Sequence, residues 1–587
     1  MYYSKKKHFF CIFMHSISLL HKINFAMKTV LTKNRCSYTS VAFFCTLLVS
    51  ILLTHISAYA VVRYVKPTNT GLGDGSSWAN ASGNLQAMIY ASAAGDEVWV
   101  ASGTYKPDTY PAGCNGCSSP LDYTFHLQNM VKLYGGFAGT ETLLNERDIT
   151  ANETILSGDF NGDDVITGSG NTLSITGNNE NARHVVITVS DNADTVFDGF
   201  TVKGGKALNS GTGIFVEMEN IHVGGGGGMY NKLSSLTINN ISFIGNSATL
   251  WGGGMFNTYS STIANTTFTN NQSGLYGGGM YNHHAPSTIT NTTFSGNRAS
   301  DGCGMYNLYF SNHIITNATF TGNYGGYVIY NSESSAFIIN ATFTANWANI
   351  ILNYYSFSTI INSTFTGNFG IAIRNIYLGS TIQNCILWNN STEIVNESAS
   401  LTTVNYSIIQ GGYPGTGNID ANPLFVNPDN PAGPDGIHRT ADDGLRLQPN
   451  SPAINAGDNS VVTDTTDIIG LDRIQFGFVD IGAYEYGYFT GLPHVSPSAT
   501  PANLAIYPNP TNNTAIITLT LPNEEAVTLS VYNLEGKEVA VLFNGMTEAN
   551  KTYQLVFNTQ DLPASTYYAV LRKAEGSQQS MPVLVVK

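Results

Sequence analysis

The chain has 587 residues, enough for two or more domains or one elongated one, and only 11% are charged, too few for a coiled coil or a disordered polyelectrolyte. There are 26 Lys and Arg against 40 Asp and Glu, and seven of the basic residues precede residue 61 with no acid among them. The remainder is strongly acidic and has no basic face for phosphate backbones, which excludes a nucleic-acid partner.

At the N-terminus, VAFFCTLLVSILL (41–53) is an uninterrupted apolar run behind Lys28, Lys33 and Arg35. Ala58-Tyr59-Ala60 then supplies a small-x-small cleavage site. Residues 1–60 therefore read as a secretory signal peptide region, with Met27 an alternative start that gives a leader of normal length. The run falls short of the roughly 20 residues of a membrane span, so no permanent transmembrane segment is expected. In an exported protein, Cys114 and Cys117 of PAGCNGCSS read as a loop disulfide, because no second ligand pair for zinc appears.

Next, SGNLQAMIYASAAG (82–95) spaces Leu85, Met88 and Ile89 helically and stops at a Gly; it predicts an amphipathic helix that lids an exposed sheet end. EVWVASGTY, TFHLQNMVKLYGGF, TILSGDF, HVVITVS and TVFDGFTVKGG then look like degenerate copies of a repeat unit that becomes regular at residue 226. Among them, Asp159, Asn161, Asp163 and Asp164 alternate oxygen donors around a Gly. This resembles part of a calcium loop without the distal Glu of an EF-hand, the other reading being an ordinary Asp/Gly turn.

From residue 226 a unit of 22 to 26 residues recurs: GGGMYN, GGGMFN, GGGMYN, GCGMYN, GYVIYN and GIAIRN, alternating with TINNISFIGN, TIANTTFTNN, TITNTTFSGN and their successors. Three Asn columns keep register, at 240/265/291/317/340/362/384, 246/271/297/323/346/368/390 and 231/257/282/307/331/353/375. Ile lies two residues before the first column and Phe three after it, while Met or Ile lies two before the third. Short alternating runs mean strands. Three strands per unit, each ending near an Asn, describe one triangular turn of a right-handed parallel β-helix, with like residues stacked inside and Asn ladders at the corners. Six N-x-[S/T] matches in the first column read as this ladder, since glycans about 5 Å apart could not fit. Cys303 and Cys385 fall three coils apart, about 14 Å, beyond disulfide reach.

The repeats 226–390 hold five charged side chains, Lys232, Arg298, Asp301, Glu333 and Arg374. Asp301 and Glu333 differ in phase, so no catalytic residue is assigned. The aromatic row Tyr230, Phe256, Tyr281, Tyr306 and Tyr330 alternates with the inward Met/Ile row and should face outward. Its two readings are a sugar-stacking platform and cross-strand stacking that stabilises the sheet. His283, His284 and His313 read as solvated polar residues. Beyond the repeats, Asp435 with Asp442 and Asp443 forms a second, weaker candidate calcium loop.

The order GDGSSWAN…EVWVASGTY, then the GGGMYN/NTTFSGN coils, then NPLFVNP…LRLQPNSPAINAGD…VDIGAYEY resembles bacterial surface β-helix proteins. These are the pectin-lyase-like group with polymorphic outer-membrane-protein-type repeats and choice-of-anchor chains. The resemblance covers about residues 62–487 and is specific for architecture, since this fold hosts both enzymes and inert stalks. SPSATP lies in a linker (491–501), and YPNP, VTLSVYNLEGKEVAVL and YQLVFNTQDLPASTYYAVLRK beyond it resemble the C-terminal sorting domain of the type IX secretion system of Bacteroidetes. Ser565 stands where that family usually has Gly.

The expected chain is thus all-β. A β-helix over 61–490, with a cap helix and an irregular C-terminal cap, precedes a small β-sandwich over 502–587. The resemblance implies delivery by the type IX translocon to the cell surface or medium. The expected role is an adhesive, structural or glycan-binding module without catalysis, its partners surface polysaccharide or extracellular glycans. No cofactor is required, structural calcium aside. The alternative is a polysaccharide lyase or glycoside hydrolase whose site lies in the 410–450 loops or in the degenerate coils, where Asp159, Asp163, Asp164, Asp191, Asp194 and Asp198 are available.

Overall fold

A computed structural model describes residues 60–208, 213–475, 477–487, 503–507, 511–533, 537–573 and 578–586. The leader through Tyr59 and the linker 491–501 lie outside the described residues. The fold is all-β, a parallel β-helix followed by a small antiparallel β-sandwich. The chain divides between Ser311 and Asn312 into two units.

In the first unit the helix Leu85–Ala91 forms as its spacing predicts, with the Asn84 side chain capping Ala87 N–H. It buries Leu85, Gln86 and Ile89. Strands Val62–Val65, Glu97–Ala101 and Lys132–Phe137 pair in parallel and start the coils. The repeats then stack like on like: Ile238, Ile263 and Ile289; Phe243, Phe268 and Phe294; Met229, Met255, Met280 and Met305. All are sealed from solvent. The Phe rings lie 4.9 Å apart at each step and tilt by only 10° and 3°, the offset stacking favoured by ring quadrupoles. The GGG runs are small because coils approach closely there. A Cβ on Gly279 would come 2.6 Å from the Gly304 carbonyl oxygen and 2.9 Å from the Phe294 ring.

The second unit repeats the scheme with Ile315/Ile338/Ile360/Ile382, Phe320/Phe343/Phe365/Leu387 and Ile329/Ile351/Ile373. Its residues 410–487 are largely irregular, and Phe425, Leu445, Leu447, Ile468 and Ile481 pack with Ile386 and Ile408. The sandwich pairs Asn503–Tyr507, Thr514–Thr520 and Thr552–Asn558 in one sheet. Glu538–Thr547, Glu525–Tyr532, Ser565–Lys573 and Gln578–Val585 form the other. A core of Ile517, Leu519, Leu529, Phe557, Leu571 and Val583 lies within it. Ser565 opens a strand.

The Asn columns divide the labour differently from the expected three equal corners. Only the first turns the chain itself: Asn240, Asn265, Asn291, Asn317, Asn340, Asn362 and Asn384 have φ between 48° and 53°, a left-handed conformation that Asn tolerates well. The strands on either side of this bend belong to one large sheet, and Lys206–Ala207, Ser247–Ala248 and Gln272–Ser273 form a short parallel ladder of their own. In the second column the preceding residue turns instead, as Gly245, Asn270 and Gly296 do. This frees Asn246, Asn271 and Asn297 to point inward and hydrogen-bond amide to amide at 3.2 Å. The third column is likewise buried, with Asn231 donating to Asn257 at 2.7 Å, Asn257 to Asn282 at 3.3 Å and Asn282 to Asn307 at 2.9 Å. In the second unit Asn340 and Asn362 are fully buried, so neither of these two N-x-[S/T] sites offers its amide to a glycan.

Candidate functional site

The aromatic row stacks as a ladder, Tyr230 to Phe256 at 4.5 Å, Phe256 to Tyr281 at 5.2 Å and Tyr281 to Tyr306 at 5.5 Å. It does not face solvent as expected, for these four rings are at most 9% exposed. The residues just before each GGG run, Gly225, Trp251, Tyr276 and Asp301, bridge to one another in parallel from coil to coil. Trp251 lies 6.1 Å from Phe256 and 5.9 Å from Tyr281, while Tyr276 packs on Tyr306 at 4.5 Å. Rings covered in this way stabilise the sheet. In the second unit Tyr330 is half-buried against Tyr327.

The first acidic loop is drawn together. Asp159 is 8% exposed and binds the amides of Gly162, Asp163 and Asp164. The hairpin Val165–Thr167/Ser174–Thr176 then returns the chain, bringing Glu180 so that carboxylate oxygens of Asp159, Asp163 and Glu180 lie within 4.8 Å of one another. The group is compatible with a divalent cation. Asp164 stands beside it, its Oδ2 accepting from Asn181 Nδ2 at 2.8 Å. Burial, reinforced by the neighbouring carboxylates, raises its pKa. Asn161 is exposed on the loop. Glu180 escaped the sequence reading because a hairpin separates it from the loop.

The second loop is spent on its own turn. Asp435 caps Ile437 N–H and Asp442 accepts from Asp435 N–H and the Thr440 hydroxyl. Asp443, fully buried, accepts from Arg439 N–H and the Tyr484 hydroxyl. Among the described residues these three join no cluster of metal-ligating side chains. Cys114 and Cys117 are disulfide-bonded, and Cys303 and Cys385 are buried thiols.

Of the other acids, Asp198 is held by Arg147 at 2.8 Å and by the amides of Asn239 and Asn240. Asp191 is 4% exposed and its Oδ2 lacks a donor; burial, then the Glu217 charge, pushes it up to about 8. Glu217 sits at a hairpin tip with φ 50°, 3.7 Å from the buried His126. Burial pulls both His126 and His184 down to about 4, so for His126 desolvation outweighs the attraction of Glu217. Both imidazoles are therefore neutral in the fold at pH 7. Their contribution is complete above the unfolded value near 6.5 and is lost as pH falls toward 4. Denaturant unfolding at pH 4.5 should show about 2–3 kcal/mol less stability per histidine than at pH 7, and His184→Gln should flatten that dependence.

A cleft of about 330 Å³ opens at the first Asn column of the first unit, lined by Thr150, Glu153, Thr201, Asn240, Ser242 and Asn265 among others. Glu153 is the one carboxylate in it and accepts from the Thr201 hydroxyl at 2.9 Å. Hydroxyls and amides make up most of the rest, with Ile149 and Phe200 as its apolar side chains.

No curated protein matches the chain. Among solved structures, a mutant tailspike protein of the E. coli bacteriophage HK620 in complex with a pentasaccharide aligns with 11% identity and a TM-score of 0.21, over 91% of this chain and 93% of that one. The enzymatically active domain of bacteriophage CBA120 tailspike protein 4 aligns with 9% identity and a TM-score of 0.15, over 84% of this chain and 62% of that one. Among the described residues no helix is long and apolar enough to cross a membrane. Residues 505–587 match the family described as the secretion system C-terminal sorting domain, which engages the type IX translocon and directs the protein to the cell surface or medium.

Proposed function

We propose that the protein is a surface-delivered β-helix of the pectin-lyase-like kind that binds a glycan in the cleft at Glu153 and does not turn it over. The observation that carries this reading is the composition of the cleft: hydroxyls, amides and a single carboxylate, where glycoside hydrolysis calls for two carboxylates about 5 to 10 Å apart. Calcium at Asp159, Asp163 and Glu180 serves as a structural ion that stiffens the coil. The purified protein is to be incubated with a polysaccharide panel. Binding is expected without new reducing ends or unsaturated uronates, and Ser242→Tyr, which fills the cleft, should weaken it at least tenfold. Binding unaffected by that variant moves the ligand elsewhere.

One observation favours the second reading, a lyase or hydrolase. Asp191 is a buried carboxyl that burial and then the charge of Glu217 push up to about 8, and Glu217 in turn lies 3.7 Å from His126. Turnover in the same panel that disappears in Asp191→Asn would replace the binding reading with this one.

A further inference from the structure

The hairpin between the two halves of the acidic cluster forms an arm that lies across three successive coils. A Cβ on Gly245 would come 2.1 Å from Ile166 Cδ1, so Ile166 rests on that turn. Ser169 Oγ donates to Asn270 Oδ1 at 2.9 Å, and Gly170 N–H to the Gly296 carbonyl at 3.0 Å. Arg298 Nη1 reaches the Leu173 carbonyl at 3.4 Å. The arm therefore touches positions 245, 270 and 296, the turn before each inward Asn of the second column.

Both ends of this arm meet at the carboxylates, Asp159, Asp163 and Asp164 on entry and Glu180 with Asn181 on return. Three buried oxygens there have no donor: Asp164 Oδ1, Glu180 Oε1 and Asn181 Oδ1. Asn181 is 2% exposed, next in sequence to Glu180, and its amide nitrogen is fixed on Asp164 beside the cluster while its oxygen is left without a donor. The nearby cations are engaged elsewhere, Lys106 on the Phe160 carbonyl and Lys206 on Asn178 and Asn179. Oxygens sharing one calcium at about 2.4 Å lie up to about 4.8 Å apart, the span observed here.

Extending the structural-calcium reading above, we infer that a calcium ion held by Asp159, Asp163 and Glu180, with Asn181 as a neutral oxygen donor, buckles the arm 165–177 down as a strap over the three coils. Acceptor-only oxygens at a partly exposed rim suit calcium, which takes six to eight oxygen ligands including water.

The test pairs calorimetric titration of calcium into chelator-stripped full-length protein with hydrogen exchange of residues 165–177. Expected are a dissociation constant of about 10⁻⁴–10⁻³ M and arm amides that exchange at least tenfold faster in EDTA. Glu180→Gln should weaken binding about tenfold and leave its arm fast-exchanging in calcium, while exchange in the Phe strands stays at the wild-type rate. Calcium binding with an unchanged arm overturns the strap and spares the structural-ion reading. No calcium binding overturns both, and neither result bears on the glycan cleft.

Discussion

Removing residues 502–587 is expected to strand the protein in the periplasm, with surface and medium fractions falling to background. The expectation rests on separable parts. The sorting family spans residues 505–587, and the sandwich there closes its own apolar core from Leu504 to Val585, so its removal takes away the translocon's ligand. Among the described residues, the solenoid strands and the sandwich strands fall in separate sheets. Cell fractionation with protease shaving of intact cells reads the outcome. Normal surface delivery of the truncated chain would refute the assignment of the signal to this domain. Full-length protein in the same cells controls for export across the inner membrane.

Phe268→Ala is expected to cost about 3–5 kcal/mol, at the upper end because both ring faces lose a partner in the stack. Phe268 is fully buried between Phe243 and Phe294, each at 4.9 Å. A solenoid coil leans only on its neighbours, so a vacancy in one weakens two interfaces. Phe268→Leu should cost less than about 1.5 kcal/mol, for Leu387 occupies the same position beside Phe365. Denaturant midpoints with unchanged slopes measure both. A loss below about 1 kcal/mol for the Ala variant would show that the stack does not carry the core.

The stacking itself was legible in the sequence because a strict period leaves little freedom: Ile on Ile, Phe on Phe and Met on Met follow from register alone. The corners were less so. Periodicity shows that Asn recurs without showing which residue takes the left-handed turn, and in the second column it is the one before, Gly245 or Asn270. Alternation placed Tyr281 on the face opposite Met280, yet it could not show that Trp251 and Tyr276 pack against the rings of that row. The acidic loop was visible as a local pattern, whereas Glu180 joins it through a hairpin whose return point no spacing rule gives. The loop at Asp435 has the same local pattern, but its carboxylates serve amides and hydroxyls.

The like-on-like register also bears on how such a chain changes size. Each copied unit of 22 to 26 residues presents the same top and bottom edges, so a duplication in frame inserts one more rung, about 4.8 Å long, without disturbing either neighbour. The number of coils is then a quantity that recombination can adjust in whole steps.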